Sequence, residues 1–270
     1  MTTTIDRPSS ASTSGVSFGR VLHAEWLKLV TVRSTYWTTA ISVALAALVV
    51  VLVGANVHPQ PGSTADPALL LTATTPSLAF VALIVGVLGV LSIGGEYATL
   101  QIRSSYTAVP RRLPALLAKA IVVGAWSFVL GLVLTFGGFG IIALFFGGDG
   151  AAVSLGGGVL GGLVGGALHL AVVAVFAVGL GALVRSSAAG ISILTALLFV
   201  APVILGLLGA LLRAEWITTV TELLLATAGG DLSAAPGAAG LDLWAAALAL
   251  VGWVLVVWIP ALVLTAVRDV

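Results

Sequence analysis

Hydrophobic and polar positions are very unevenly distributed along this chain. Six stretches, roughly 38–57, 77–95, 117–146, 158–184, 189–212 and 243–267, are apolar almost without interruption. About 20 apolar residues at ~1.5 Å each cross the ~30 Å hydrocarbon layer, so each stretch is long enough to span a bilayer. The ionisable side chains inside them are Lys119, near the start of the third, and His169 in the fourth. A charge at a helix centre costs ~2.5–3.5 kcal/mol on insertion, and avoidance on this scale predicts membrane spans. The pattern predicts an all-α integral membrane protein with six transmembrane helices. Breakers separate the runs: His58-Pro59-Gln60-Pro61-Gly62 after the first and Gly147-Gly148-Asp149-Gly150 after the third. Arg185-Ser186-Ser187 links the fourth to the fifth. Thr75-Pro76 reads as an N-cap with proline at the first helical position of the second span, and Pro114 plays a similar part before the third. Pro202 and Pro260 fall inside spans and are expected to kink them.

Two segments outside the runs have a period of their own. Over 17–34, at ~100° per residue, Phe18, Val21, Leu22, Trp26, Leu29 and Val32 gather on one face, with Arg20, His23, Lys28 and Thr31 elsewhere. That predicts an amphipathic helix over 17–37 lying on the membrane surface, Trp and basic residues at headgroup level. Glu25 falls in the middle of the apolar face, and a carboxylate there requires a cationic partner. Residues 1–16 read as a disordered cytoplasmic tail, and 38–270 as the transmembrane domain. The second segment, 213–242, holds a helical stretch from Trp216 to Ala228, with Gly229-Gly230 and Pro236-Gly237 as breakers. It is too short to cross, which predicts a re-entrant or interfacial helix.

Composition adds the class. Hydrophobic residues are 60% of the 270 and charged residues 8%, with mean hydropathy +1.21. A soluble domain devotes about a quarter of its residues to charge, so too few are present to coat a globule. The first apolar run is preceded by 37 largely polar residues and is itself of spanning length, so it reads as a retained span rather than a cleaved leader. Net charge is only +1, but its distribution is informative. With the N-terminus inside, Arg7, Arg20, Lys28, Arg33, Arg103, Arg111, Arg112, Lys119, Arg185 and Arg268 are cytoplasmic, ten of the eleven Lys and Arg. Arg213 is left outside, among acidic residues. The positive-inside rule therefore predicts both termini in the cytoplasm, in a multi-pass protein of the cell membrane. No basic run suggests nucleic acid. Cysteine is absent, and no two of the three histidines lie within a helical turn, which excludes thiol chemistry and helical zinc pairs.

The glycine-rich run from Gly156 to Gly166 is no phosphate loop, because neither Lys28 nor Lys119 follows a glycine. It carries Gly-x-x-x-Gly in two registers, 157–161–165 and 158–162–166, which predicts close helix packing. His169 is an intramembrane ionisable group, readable as a proton relay or as a neutral imidazole bonded to a neighbouring helix. With no acidic residue in any span, the neutral reading is preferred. No nucleophile, base and acid can be assembled, so the chain is not expected to be an enzyme or to bind a metal.

The most informative polar segment follows the second span: Glu96-Tyr97, then Ile102-Arg103, then Val109-Pro110-Arg111-Arg112. Together with Glu25-Trp26-Leu27-Lys28-Leu29 and Arg33-Ser34-Thr35-Tyr36-Trp37, it resembles the permease subunits of ABC-2 type exporters, particularly actinobacterial ones. The resemblance covers nearly the whole chain, departing at Leu100-Gln101, where a glycine is expected. It implies two permease subunits, identical or sister chains, forming a pathway in the lipid. A separate ABC ATPase would bind ATP and Mg and dock below. The surface helix, with Glu25, Trp26 and Lys28, becomes a connecting helix. The inner loop, with Glu96, Arg103, Arg111 and Arg112, becomes the ATPase-coupling loop. A pairing of Glu25 with a base such as Arg103 would tie the two together. Phe80, Thr195 and Phe199, on the second and fifth spans, become candidate pathway-lining residues. Two other functions fit the composition: a non-transporting membrane anchor or regulator of an ATPase, and a stand-alone secondary carrier. The missing intramembrane carboxylate disfavours the carrier.

Overall fold

The computed structural model describes residues 17–59, 62, 64–98, 112–156, 158–238 and 240–267. The tail 1–16 and the loop 99–111 lie outside the described residues. Among the described residues there is no β-strand, only an isolated bridge between Thr64 and Ala152. The helices are α1 (Phe18–Thr31), α2 (Arg33–Gly54), α3 (Pro67–Thr74), α4 (Leu78–Ala98), α5 (Arg112–Gly148) and α6 (Val159–Val184). They are followed by α7 (Ser187–Thr195), a π-turn (Ala196–Val200), α8 (Ala201–Leu212), α9 (Glu215–Glu222), α10 (Leu225–Leu232) and α11 (Leu243–Val267). Six helical segments are long and apolar enough to cross a membrane: α2, α4, α5, α6, the continuous α7–π–α8 segment, and α11. The protein is a helical multi-pass membrane protein.

The surface helix ends earlier than its hydrophobic period suggests. Val32 leaves the helical region (φ −81°, ψ 125°), and residues 33–37 belong to the first span. The break is satisfied locally. Thr31 donates to the Leu27 and Lys28 carbonyls (2.8 and 3.2 Å), and the Tyr36 hydroxyl donates to the Val30 carbonyl (2.7 Å). Orphan carbonyls of the last turn are thus taken up without a glycine.

α6 is the hub. Of its apolar window, 67% is buried, against 11% for the fifth span, and α4, α5 and α11 all lie along it. Glycine makes this possible in one register more than in the other. A Cβ on Gly162, Gly165 or Gly166 would strike Leu71, the Leu232 backbone or Leu78, whereas Gly161 faces open space. The close neighbours at this end are the short helices α3 and α10 as well as long spans. Toward the other end, Trp258 lies against Gly179 and donates to the Val175 carbonyl (3.0 Å), fixing α11 to α6.

The loop end is more structured than the breakers imply. Asp66 caps α3 by accepting from the Ala68 amide (2.9 Å), with Pro67 at the first helical position. Thr75 is the C-cap of α3 rather than the N-cap of α4, and its hydroxyl donates to the Leu71 carbonyl (2.7 Å). The helix expected over 216–228 is two helices, broken at Leu224 (φ −62°, ψ 148°), and Gly229-Gly230 lies inside the second rather than ending it. In the fifth span Pro202 follows the π-turn Ala196–Val200. Proline has no N–H to give the preceding turn, and a wider turn there absorbs the misfit.

Candidate functional site: an ion-paired clamp at one end of the bundle

Three elements bring four charged side chains together where α1 lies across the bundle. Glu25 projects from the buried side of α1, beside Val21 and Leu29. Glu96 sits in the last turn of α4, and Lys119 two turns into α5. The Lys119 ammonium touches both carboxylates, at 2.6 Å from Glu25 Oε2 and 2.9 Å from Glu96 Oε1. Lys28 closes the ring from the wet side, at 2.6 Å from Glu25 Oε1 and 3.1 Å from Glu96 Oε1. Two carboxylates and two ammoniums balance, so the cluster carries no net charge into the apolar surround. Residue exposure is only 6% for Glu25 and 7% for Lys119. Burial of one such charge alone is prohibitive; burial of a fully paired set is not.

Burial by itself raises the Glu25 carboxyl. The charge and hydrogen bond of Lys119, and then of Lys28, outweigh it and hold the group below its ordinary value. Lys28 is affected the opposite way. Partial burial lowers it, but the bonds and charges of Glu25 and Glu96 raise it overall. Both groups are therefore ionised through the neutral range.

Around the ring, aromatic contacts fix the same junction. Trp26 of α1 lies 5.9 Å from Trp126 of α5, and the Arg185 guanidinium stands 5.4 Å from the Tyr97 ring. A cavity of about 320 Å³ opens beside the clamp, lined by Leu29, Thr35, Leu91, Ser92 and Val122 together with the charged groups.

Of the residues singled out from sequence, Glu25, Lys28 and Glu96 meet in one network, with Trp26 beside it. Arg112 opens α5, while Arg103 and Arg111 lie outside the described residues. The partner expected for Glu25 was a base such as Arg103; its two oxygens are instead occupied by Lys28 and Lys119. Lys119 is the member that sequence reasoning passed over as one more inner-side cation. Its place inside the third apolar run was the available signal, since a lysine there needs an acidic partner. Among the candidate lining residues, Phe80 and Phe199 are neighbours, with ring centroids 6.0 Å apart. Thr195 donates its hydroxyl to its own helix, at the Ile191 carbonyl (2.8 Å).

No protein-family model matches the sequence, and comparison with curated proteins gives no match either. Fold and site together define a six-span helical membrane protein whose surface helix is locked to the ends of two spans by buried ion pairs.

Proposed function

We propose that this chain is the permease subunit of an ABC-2 type exporter of the cell membrane, forming its pathway with a second permease and driven by a separate ATPase. The observation that carries the reading is the clamp. Glu25 and Lys119 are buried and paired, so α1 cannot shift relative to α4 and α5 without leaving a buried charge unpaired, a cost of about 3–5 kcal/mol. A force applied to α1, or to the loop that leaves α4 near Glu96, is then delivered to the second and third spans as one unit. An ATPase beneath a permease requires such a transmission element, because the spans must change state together to alternate access. The bias of Lys and Arg puts this end in the cytoplasm, where ATP is. The motifs around Glu25, Glu96 and Arg111-Arg112 support the same reading.

The decisive experiment is co-purification of the tagged chain from its native membranes in mild detergent, with mass spectrometry of what accompanies it. A stoichiometric partner carrying a Walker A motif is expected, and recovery of a second permease sequence would distinguish a heterodimer from a homodimer. Consistent absence of an ATPase across several gentle detergents would overturn the proposal. In the recovered complex, Glu25→Lys is expected to abolish ATP-dependent transport and Lys119→Glu on the same chain to restore part of it.

A further inference from the structure

The cavity of about 320 Å³ beside the clamp has a chemistry of its own, apart from the ion pairs that border it. Much of its lining is apolar, with Leu29, Leu88, Val122 and Val123 buried around it. Two further apolar lining residues, Val32 (47% exposed) and Leu91 (38%), carry that surface outward. Leu91 stands on α4, a membrane span, so the mouth opens toward lipid. The polar part of the lining is the clamp itself together with Ser34 and Thr35, in the first turn of α2.

These polar groups differ in what they have left to offer. The acceptors of the ring are occupied: both Glu25 oxygens and Glu96 Oε1 receive protons from the two lysines. The donors are not. Lys28 engages two of its three ammonium protons, and its bond to Glu96 is exposed, whereas the bond between Lys119 and Glu25 is buried. The Ser34 and Thr35 hydroxyls donate to no described residue. The break at Val32 explains why. A helical Ser or Thr can donate to a carbonyl one turn back, as Thr38 does to Ser34 (2.9 Å) and Thr39 to Thr35 (2.7 Å). Ser34 and Thr35 have no helical turn behind them, because Val32 has left the helical region. Ser34 is exposed, but Thr35 is only 2% exposed, and an oxygen brought into the cavity gives its hydroxyl the acceptor that burial demands.

An occupant that suits this lining is apolar along most of its length and ends in a hydrogen-bond acceptor. Charge narrows it further. The ring is neutral in sum, and the exposed Arg33, between Val32 and Ser34, adds a positive charge at the mouth. We propose that this cavity holds one acyl chain of an anionic membrane phospholipid, its phosphate oxygens accepting from Ser34, Thr35 and Lys28. Charge-assisted bonds of this kind are stronger than neutral ones, and basic side chains near a membrane surface favour anionic lipid. The cavity's size lies within the roughly 300–1,000 Å³ of small-molecule sites. Since α1, α2, α4 and α5 all contribute to the lining, a chain lodged there completes the packing of the junction. The site requires a membrane but no ATPase, so it stands apart from the exporter reading.

The test uses the purified full-length chain, delipidated in detergent and titrated with an equimolar mixture of dioleoyl phosphatidylglycerol and dioleoyl phosphatidylcholine. Bound lipid is counted by native mass spectrometry. One phosphatidylglycerol per chain is expected to be retained, at least about fivefold in preference to phosphatidylcholine with the same tails. Glycerol 3-phosphate, which offers the phosphate without a chain, is expected not to displace it. Ser34→Ala combined with Thr35→Val is expected to lower retention about tenfold. Leu91→Trp, which narrows the mouth and leaves every polar group in place, is expected to lower retention of both lipids. Equal retention of the two lipids, displacement by glycerol 3-phosphate, or a lipid count with no step at one overturns the proposal. So does unchanged retention in Leu91→Trp, which decides the matter should the Ser34 and Thr35 variant fail to fold.

Discussion

The two ends of this molecule hold their buried basic side chains in opposite ways. Where α1 crosses the bundle, four charged side chains satisfy one another completely, and no ring member lacks an opposite charge within 3.1 Å. Near Leu78, about 27 Å from Glu96 along α4 at ~1.5 Å per residue, the imidazole of His169 is buried with its Nε2 unpaired. A closed network resists any change in the elements that contribute to it. An imidazole without an ionic partner is held by packing instead, here against Gly229. The difference between the ends lies in how their buried charges are paired rather than in hydrophobicity, since both sites sit in apolar surroundings.

The most damaging way to break the comparison is Lys119→Met, which leaves the buried Glu25 and the partly buried Glu96 with only the half-exposed Lys28 between them. A loss of about 3–5 kcal/mol is expected, because removing one partner of a buried pair leaves an uncompensated charge. The chain has no cysteine, so Val21→Cys, on the buried side of α1, supplies a clean reporter. In the Lys119→Met background that thiol is expected to react with a soluble maleimide much faster than in the parent. Unchanged labelling would mean that the clamp does not hold α1.

Acid is the next probe. Glu25 is held below its ordinary value of 4.5, so its contribution is fully present above that value and disappears as pH falls through the lower folded one. Lys28 is held above 10.5, so its contribution is fully present below 10.5 and is lost as pH rises through the higher folded value. Docking of α1, read by the same thiol label quenched at each pH and corrected for thiolate fraction, is expected to be flat from about pH 5 to 10 and to fail only in acid below 4.5. A transition near pH 6.5 would implicate histidine instead.

At the other end the same treatment is expected to cost little. His169→Phe exchanges a buried ring with an unpaired nitrogen for an apolar one, so a change under about 1.5 kcal/mol is expected by denaturant titration in detergent. A loss as large as that of Lys119→Met would mean that the imidazole is structural, and the contrast between the ends would disappear.

Much of this was readable beforehand because lipid imposes a one-dimensional code. Six apolar runs became six spans, and the bounds of the fourth, 158–184, differ from Val159–Val184 by a single residue. What escaped depended on tertiary placement. Glu25 announced its need for a cation, but nothing local identifies Lys119, 94 residues away, as the one that meets it. No sequence signal marks α3, eight residues between the first two spans, yet Leu70 and Leu71 bury completely against α5 and α6. Gly229-Gly230 read as a breaker because glycine is a poor helix former. The packing of Gly229 against His169 and the other α10–α6 contacts outweigh about 1 kcal/mol of propensity per glycine. The break at Val32 was missed for a related reason: the apolar face of α1 runs straight into the first span, so the period alone shows no boundary.

The smallest expected effect is also the one that tests the internal structure of the clamp. Lys28 and Lys119 bind the same two carboxylates at similar distances, yet the Lys28 side chain is 44% exposed and that of Lys119 8%. Water already solvates Lys28 and screens its attraction, and holding a long side chain in one geometry costs rotamer entropy. Lys28→Ala is therefore expected to cost no more than about 1 kcal/mol and to leave Val21→Cys protected, while Lys119→Met does neither. The double variant then separates two pictures. If Lys119 alone neutralises the carboxylates, the effects add. If Lys28 partly compensates once Lys119 is gone, Lys28→Ala costs more in the Lys119→Met background than in the parent, because the last cation near the two carboxylates has been removed. Non-additivity of that sign is expected, since Lys28 contacts both Glu25 and Glu96 and is the one remaining ring member that can hold them together.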